Sequence, residues 1–189
     1  MNLKIRPTML LAFFTASVFS GSAVTAKDGT ITFSGQISDA TCDITGGDGT
    51  NANQGPDFKV TLPPVGATAL KEKGQFAGDT PFYINLSGTK CPDGKIANVI
   101  FERAQSMNID STTGYLKNHT VTGAAKNVQV RILSKDKKAL DLNKLNASHQ
   151  PVTIKNNTGR FEYWGQYAAT GQATAGTVET NVVYSISYN

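Results

Sequence analysis

The stretch Thr177-Val178-Glu179-Thr180-Asn181-Val182-Val183-Tyr184-Ser185-Ile186-Ser187-Tyr188 decides the fold. Val178, Thr180, Val182, Tyr184, Ile186 and Tyr188 fall on one side of a period of two. Thr177, Glu179, Asn181, Ser185 and Ser187 fall on the other, with Val183 the one apolar exception. Successive side chains of an extended chain point to opposite faces, so alternation of this length predicts a strand with one buried side.

The same pattern recurs upstream. Phe58, Val60 and Leu62 alternate with Lys59 and Thr61, and Phe82, Ile84 and Leu86 with Tyr83 and Asn85. Val128, Val130 and Ile132 alternate with Gln129 and Arg131, and Phe161, Tyr163, Gly165, Tyr167 and Ala169 share a face. Residues 46–55 and 156–159 are rich in Gly, Asn and Asp, which predicts turns, with 46–55 an exposed loop. Helical periodicity is weak: residues 67–73 suit one short turn, and 137–145 fit no single period. About seven short strands predict an all-β, antiparallel sandwich of immunoglobulin-like kind. The only tryptophan, Trp164, follows both cysteines, which disfavours an antibody-type domain.

At the other end, Lys4 and Arg6 precede an apolar run from Met9 to Phe19, and Val24-Thr25-Ala26 has the small residues of a cleavage site. Residues 1–26 therefore read as an export signal, too short to span a bilayer, and no other stretch is apolar enough to insert the mature chain in a membrane. Without it, sixteen basic residues face fourteen acidic ones, about +2 in place of the +4 of all 189 residues. That weak charge, with only Lys135, Lys137 and Lys138 clustered, argues against nucleic-acid binding. In an oxidising compartment Cys42 and Cys91 most simply form one disulfide. Closing a loop of about 50 residues contributes roughly 4 kcal/mol in the chain-entropy account.

No pattern for catalysis emerges: the chain has no Gly-x-Ser-x-Gly, His-Glu-x-x-His or Walker loop, and Gly47-Asp48-Gly49 sits in turn-rich sequence. His119 and His149 lack an acidic neighbour and read as surface residues. Asp48, Asn51, Asn53 and Asp57 do not have the spacing of a calcium loop, and two thiols with two distant imidazoles are too few for zinc. The expectation is no enzyme, no metal and no cofactor. Asn85, Asn118, Asn146 and Asn156 head Asn-x-Ser/Thr sequons that matter only in a host that glycosylates.

The two ends of the chain carry a resemblance. Lys27-Asp28-Gly29-Thr30-Ile31-Thr32-Phe33-Ser34-Gly35-Gln36-Ile37, followed by Cys42, resembles the amino-terminal extension and first cysteine of chaperone–usher pilins, the subunits of type 1-like fimbriae. Tyr188 as penultimate tyrosine, the Val182-Tyr184-Ile186 series and Gly176 are similar to that family's carboxy-terminal pattern. So are residues 127–133 and 167–176. The stretch from Ala69-Leu70-Lys71 through Gly78-Asp79-Thr80-Pro81-Phe82 resembles the major subunits of Bordetella-type fimbriae, which points to a shaft subunit.

The resemblance implies an incomplete immunoglobulin-like sandwich that lacks its final strand. Residues 1–26 would be the signal peptide, 27–40 a donor-strand extension and 41–189 the pilin domain. Gly29, Ile31, Phe33, Gly35 and Ile37 would fill a neighbouring subunit. Gly176, Val182, Tyr184, Ile186 and Tyr188 would form the acceptor groove and the surface a chaperone recognises. Implied partners are other pilin subunits in a homopolymer, a periplasmic chaperone and an outer-membrane usher, and the implied location is a surface fimbria reached through the periplasm and supporting adhesion. Burying Ile31, Phe33 and Ile37 at roughly 1.5–3 kcal/mol each would supply about 5–9 kcal/mol. The alternative from the residues alone is a secreted carbohydrate-binding β-sandwich using Tyr163, Trp164 and Tyr167 as a stacking platform.

Overall fold

The computed structural model describes residues 42–145 and 150–189. The expected signal peptide and the extension with Gly29, Ile31, Phe33, Gly35 and Ile37 lie outside the described residues, as do Asn146 and His149.

Among the described residues eight strands form two antiparallel sheets: β1 (Asp43–Asp48), β2 (Phe76–Ser87), β3 (Ile96–Phe101), β4 (Leu116–Lys117), β5 (Val128–Ser134), β6 (Val152–Thr153), β7 (Gly159–Ala169) and β8 (Tyr184–Tyr188). The five-stranded sheet runs β1-β2-β7-β5-β4 and the three-stranded sheet β6-β3-β8. All named strand pairs are antiparallel. The alternation expected for residues 82–86 and 161–169 sits in β2 and β7, whose inward residues Phe82, Ile84, Leu86, Phe161 and Tyr163 are buried. They pack with Ala97 and Val99 of β3 and with Val130 and Ile132 of β5 in one core between the sheets. The expected short helical turn is a 3-10 turn at Ala67–Leu70.

Three expectations need correction. Residues 46–55 are not wholly an exposed loop: Gly46, Gly47 and Asp48 close β1 and are buried. Glycine is required there because a Cβ on Gly46 would lie 2.1 Å from the Phe58 ring. β5 is buried on both faces, Gln129 included, because β4, β7 and the chain around Leu140 and Thr113 enclose it. Residues 58–62 do alternate between half-buried and exposed, but they join no ladder and so are extended chain without being a strand.

Cys42 and Cys91 are joined, fastening the chain just before β1 to the turn after β2. A kink in β2 between Ala77 and Thr80 lets the strand continue past Pro81, which has no main-chain N–H to donate. It depends on Gly78, whose φ of 73° and contact with the Tyr167 ring admit no side chain.

Candidate functional site: an open seam beside the last strand

The last segment begins at Gly176, where φ is 155° and a Cβ would stand 2.4 Å from the Ala125 nitrogen. From there the chain is held along one edge. Thr177 N–H donates to Gly123 O, and Ala125 N–H to Thr177 O. Asn118 acts as a bracket: its amide donates to Thr177 O, and its Oδ1 accepts from Glu179 N–H at 2.7 Å. His119 N–H reaches Glu179 O, Val183 N–H donates to Ser106 Oγ, and Glu102 N–H donates to Val183 O. β8 then pairs with β3 through Ala97↔Tyr188 to Phe101↔Tyr184.

The odd-numbered residues 177, 179 and 183 thus use their main-chain groups on one edge. Main-chain groups of alternate residues in an extended chain face opposite edges, so those of Val178, Thr180 and Val182 face the second edge. They bond to no other described main chain, and among the described residues no strand pairs with that edge of β8. The inward side chains Val178, Val182, Tyr184, Ile186 and Tyr188 pack on the core yet stay only half-buried.

Residues 58–62 have the same character. Lys59 N–H donates to Gln54 Oε1, Lys59 O accepts from Gln54 Nε2, and Thr61 N–H donates to Asp48 Oδ2 at 2.7 Å. The main-chain groups of Phe58, Val60 and Leu62 bond to no other described main chain, while their side chains are half-buried against the core. Leu62 lies over Gly165 of β7. The two segments approach where the Tyr184 hydroxyl donates to Pro56 O at 2.7 Å and the Tyr184 and Phe58 rings stand 6.1 Å apart, edge to face. From Phe58 the aromatic line continues inward to Phe82, 6.3 Å away, and Tyr163, 5.5 Å further. The result is an apolar seam whose main chain on both sides has no partner strand among the described residues, an edge able to take up extended chain by hydrogen bonding.

Asp48 holds one side of the seam. It is 0% exposed, and its carboxylate accepts from Thr50 N–H, Thr50 Oγ1, Asn51 N–H and Thr61 N–H. Burial alone would raise its pKa, but the hydrogen bonds from Thr61, Asn51 and Thr50 more than offset this and hold it below the ordinary value. Tyr184 is shifted upward by burial and by the nearby Asp57 carboxylate. Tyr188 is raised by burial, opposed by a hydrogen bond with the Cys42 main chain.

Of the expected acceptor residues, Val182, Tyr184, Ile186 and Tyr188 share one face of the seam. Gly176 stands apart, packed on the turn at residues 123–125. Phe58, Val60 and Leu62 read in the sequence only as a strand, and Asp48 only as turn chemistry. The stacking platform is not formed: Tyr163 is 1% exposed in the core, and Trp164 on the opposite face carries Lys137 Nζ 4.1 Å above its ring. Lys137 also pairs with Asp79. His119 lies 3.1 Å from the Asn108 amide. Among the described residues no group of three or more His, Cys, Asp or Glu is placed to hold a metal ion.

The family model for FimA, type-1 fimbrial protein A, matches residues 62–189. The major fimbrial subunit SMF-1 of Stenotrophomonas maltophilia strain K279a is 38% identical over 173 residues, covering 88% of this chain and 96% of that protein. The minor fimbrial subunit HifD of Haemophilus influenzae is 36% identical over 174 residues, covering 87% of this chain and 76% of that protein. A solved structure of a chaperone–usher pilus, concerned with rod uncoiling, is similar in fold with a TM-score of 0.53 at 14% identity, covering 89% of this chain and all of that one.

Proposed function

The chain belongs to the FimA family of type-1 fimbrial subunits, and from that premise we propose that it polymerises by donor-strand exchange. Residues 1–26 direct export, 27–40 are the donor extension and 41–189 the accepting domain. Ile31, Phe33 and Ile37 enter the seam of the next subunit, with Gly29 and Gly35 where the chains approach closely. A periplasmic chaperone covers the seam first, an outer-membrane usher supervises the exchange, and the fibre supports adhesion at the cell surface. We also propose a place in the shaft, in keeping with the major-subunit relative.

The observation that carries this reading is the pair of main-chain edges, at residues 58–62 and 178–188, that no strand among the described residues pairs with, lying over a half-buried apolar row. An edge of that kind invites strand addition. The test compares thermal unfolding of the domain lacking residues 27–37 with the same domain carrying that segment after Asn189 on a short flexible linker. A rise of tens of degrees with a monodisperse monomer is expected. Equal melting of the two forms would mean that the sandwich needs no added strand, and the proposal would fall.

A further inference from the structure

In the row Val178, Thr180, Val182, Tyr184, Ile186 and Tyr188, five side chains are apolar or aromatic and one is not. The Thr180 hydroxyl oxygen is shielded from solvent and has no hydrogen-bond partner among the described residues, although Thr180 as a whole stays partly exposed. A buried hydroxyl without a partner is costly, and valine would fill the same volume without that cost. Nothing on the held edge uses this oxygen: the bracket formed by Asn118 takes Thr177 and Glu179 and passes Thr180 by.

We infer that Thr180 sets the register of the strand the seam accepts, its hydroxyl bonding the main chain of that strand at a glycine. The inference rests on the donor-strand reading, with residues 27–37 of a second copy as the occupant. The inward set of that segment is Gly29, Ile31, Phe33, Gly35 and Ile37. Only at the two glycines is there no Cβ between a facing hydroxyl and the main chain.

Geometry then limits the registers. Antiparallel, with Gly35 opposite Thr180, the segment sets Ile37 against Val178, Phe33 against Val182, Ile31 against Tyr184 and Gly29 against Ile186, so the row is covered as far as Ile186, and Tyr188 meets Lys27 at the end of the segment. Antiparallel with Gly29 opposite Thr180, Tyr184 to Tyr188 would face residues ahead of Lys27. Parallel pairing covers the row only with Gly29 opposite Thr180, and then sets Phe33 against Tyr184 and Ile37 against Tyr188. The antiparallel register with Gly35 matches large residues to smaller ones and uses the more stable ladder, and is the one assigned.

The test uses full-length chains that have assembled into polymer and follows dissociation in denaturant. Thr180→Val is expected to speed dissociation about three- to tenfold, the loss of one hydrogen bond, and Thr180→Ser to restore most of it. Gly35→Ala should speed dissociation too, and combining it with Thr180→Val should add little, because both remove the same contact. Gly29→Ala should combine with Thr180→Val additively. Dissociation of Thr180→Val at or below the wild-type rate would overturn the role of Thr180, and coupling to Gly29 in place of Gly35 would overturn the register. A wild-type chain that forms no polymer would refute the donor-strand reading itself, and this inference with it.

Discussion

Replacing Asp48 by asparagine changes almost no volume but sets an amide N–H₂ where a carboxylate oxygen now accepts. One of the two oxygens serves Thr61 and the other serves Thr50 and Asn51. Asparagine can satisfy only one side, and its N–H₂ then opposes a main-chain donor. Hydrogen bonds to a charged acceptor contribute about 1.5–3 kcal/mol each. Thr50, Asn51 and Thr61 are exposed and can turn partly to water, so we expect a total loss of about 2–4 kcal/mol. For a domain of this size that lowers Tm by about 6–12 °C. The assay is thermal unfolding by circular dichroism of the form carrying residues 27–37 after Asn189, at pH 7 and again toward pH 3. Because the folded-state pKa of Asp48 lies below its usual 3.8, its contribution is present above the unfolded value and is lost as pH falls from about 3.8 through the folded pKa. Asp48→Asn should remove that part of the acid sensitivity. A Tm within 1 °C of wild type at pH 7, or an unchanged acid limb, would refute the view that this carboxylate pins residues 58–62.

Replacing Cys42 and Cys91 together by serine should lower stability by roughly 4 kcal/mol, read as a shift of the urea midpoint with m changed by the freed loop. Gly176→Ala should destabilise by about 2 kcal/mol or more, since its Cβ would collide with backbone at residues 123–125; chemical denaturation measures it, and a neutral result would mean the turn yields freely. Phe58→Ala should weaken uptake of a residue 27–37 peptide more than it lowers the stability of the domain with the segment appended, compared by peptide titration and melting.

The last strand was legible because its alternation is long and its outward residues are polar: residues 177–183 alternate exposed and half-buried as the pattern demands. β2 and β7 were legible for the same reason. β3 was not, since Ile96 and Ile100 on its outer face are as apolar as Val99 and Phe101 on its inner one, and period two disappears. β1 was hidden by Gly46-Gly47-Asp48-Gly49, residues typical of turns, which here leave room for the Phe58 ring and the Asn51 carbonyl. At the site, the row from Val182 to Tyr188 could be read, but the lack of a neighbour beside it could not, because alternation reports what a side chain faces and says nothing of what the main chain bonds to. Thr180 was visible as a polar interruption, and only the absence of a partner gives it meaning.

The disulfide also changes how far the molecule can stretch. Residues 42 and 91 enclose β1, the extended wall at residues 58–62 and all of β2, so a pull applied between Cys42 and Asn189 bypasses that whole stretch. Only about 100 residues are free to pay out, giving roughly 340 Å of slack where the unbridged chain would give about 500 Å. In the proposed fibre the donor extension precedes Cys42 in the chain, and the Cys42 main chain meets Tyr188 at the far end of β8. Tension entering along that extension would arrive at a closed covalent ring beside the last strand, and the wall of the seam at residues 58–62 is inextensible even when the wall at 178–188 gives way.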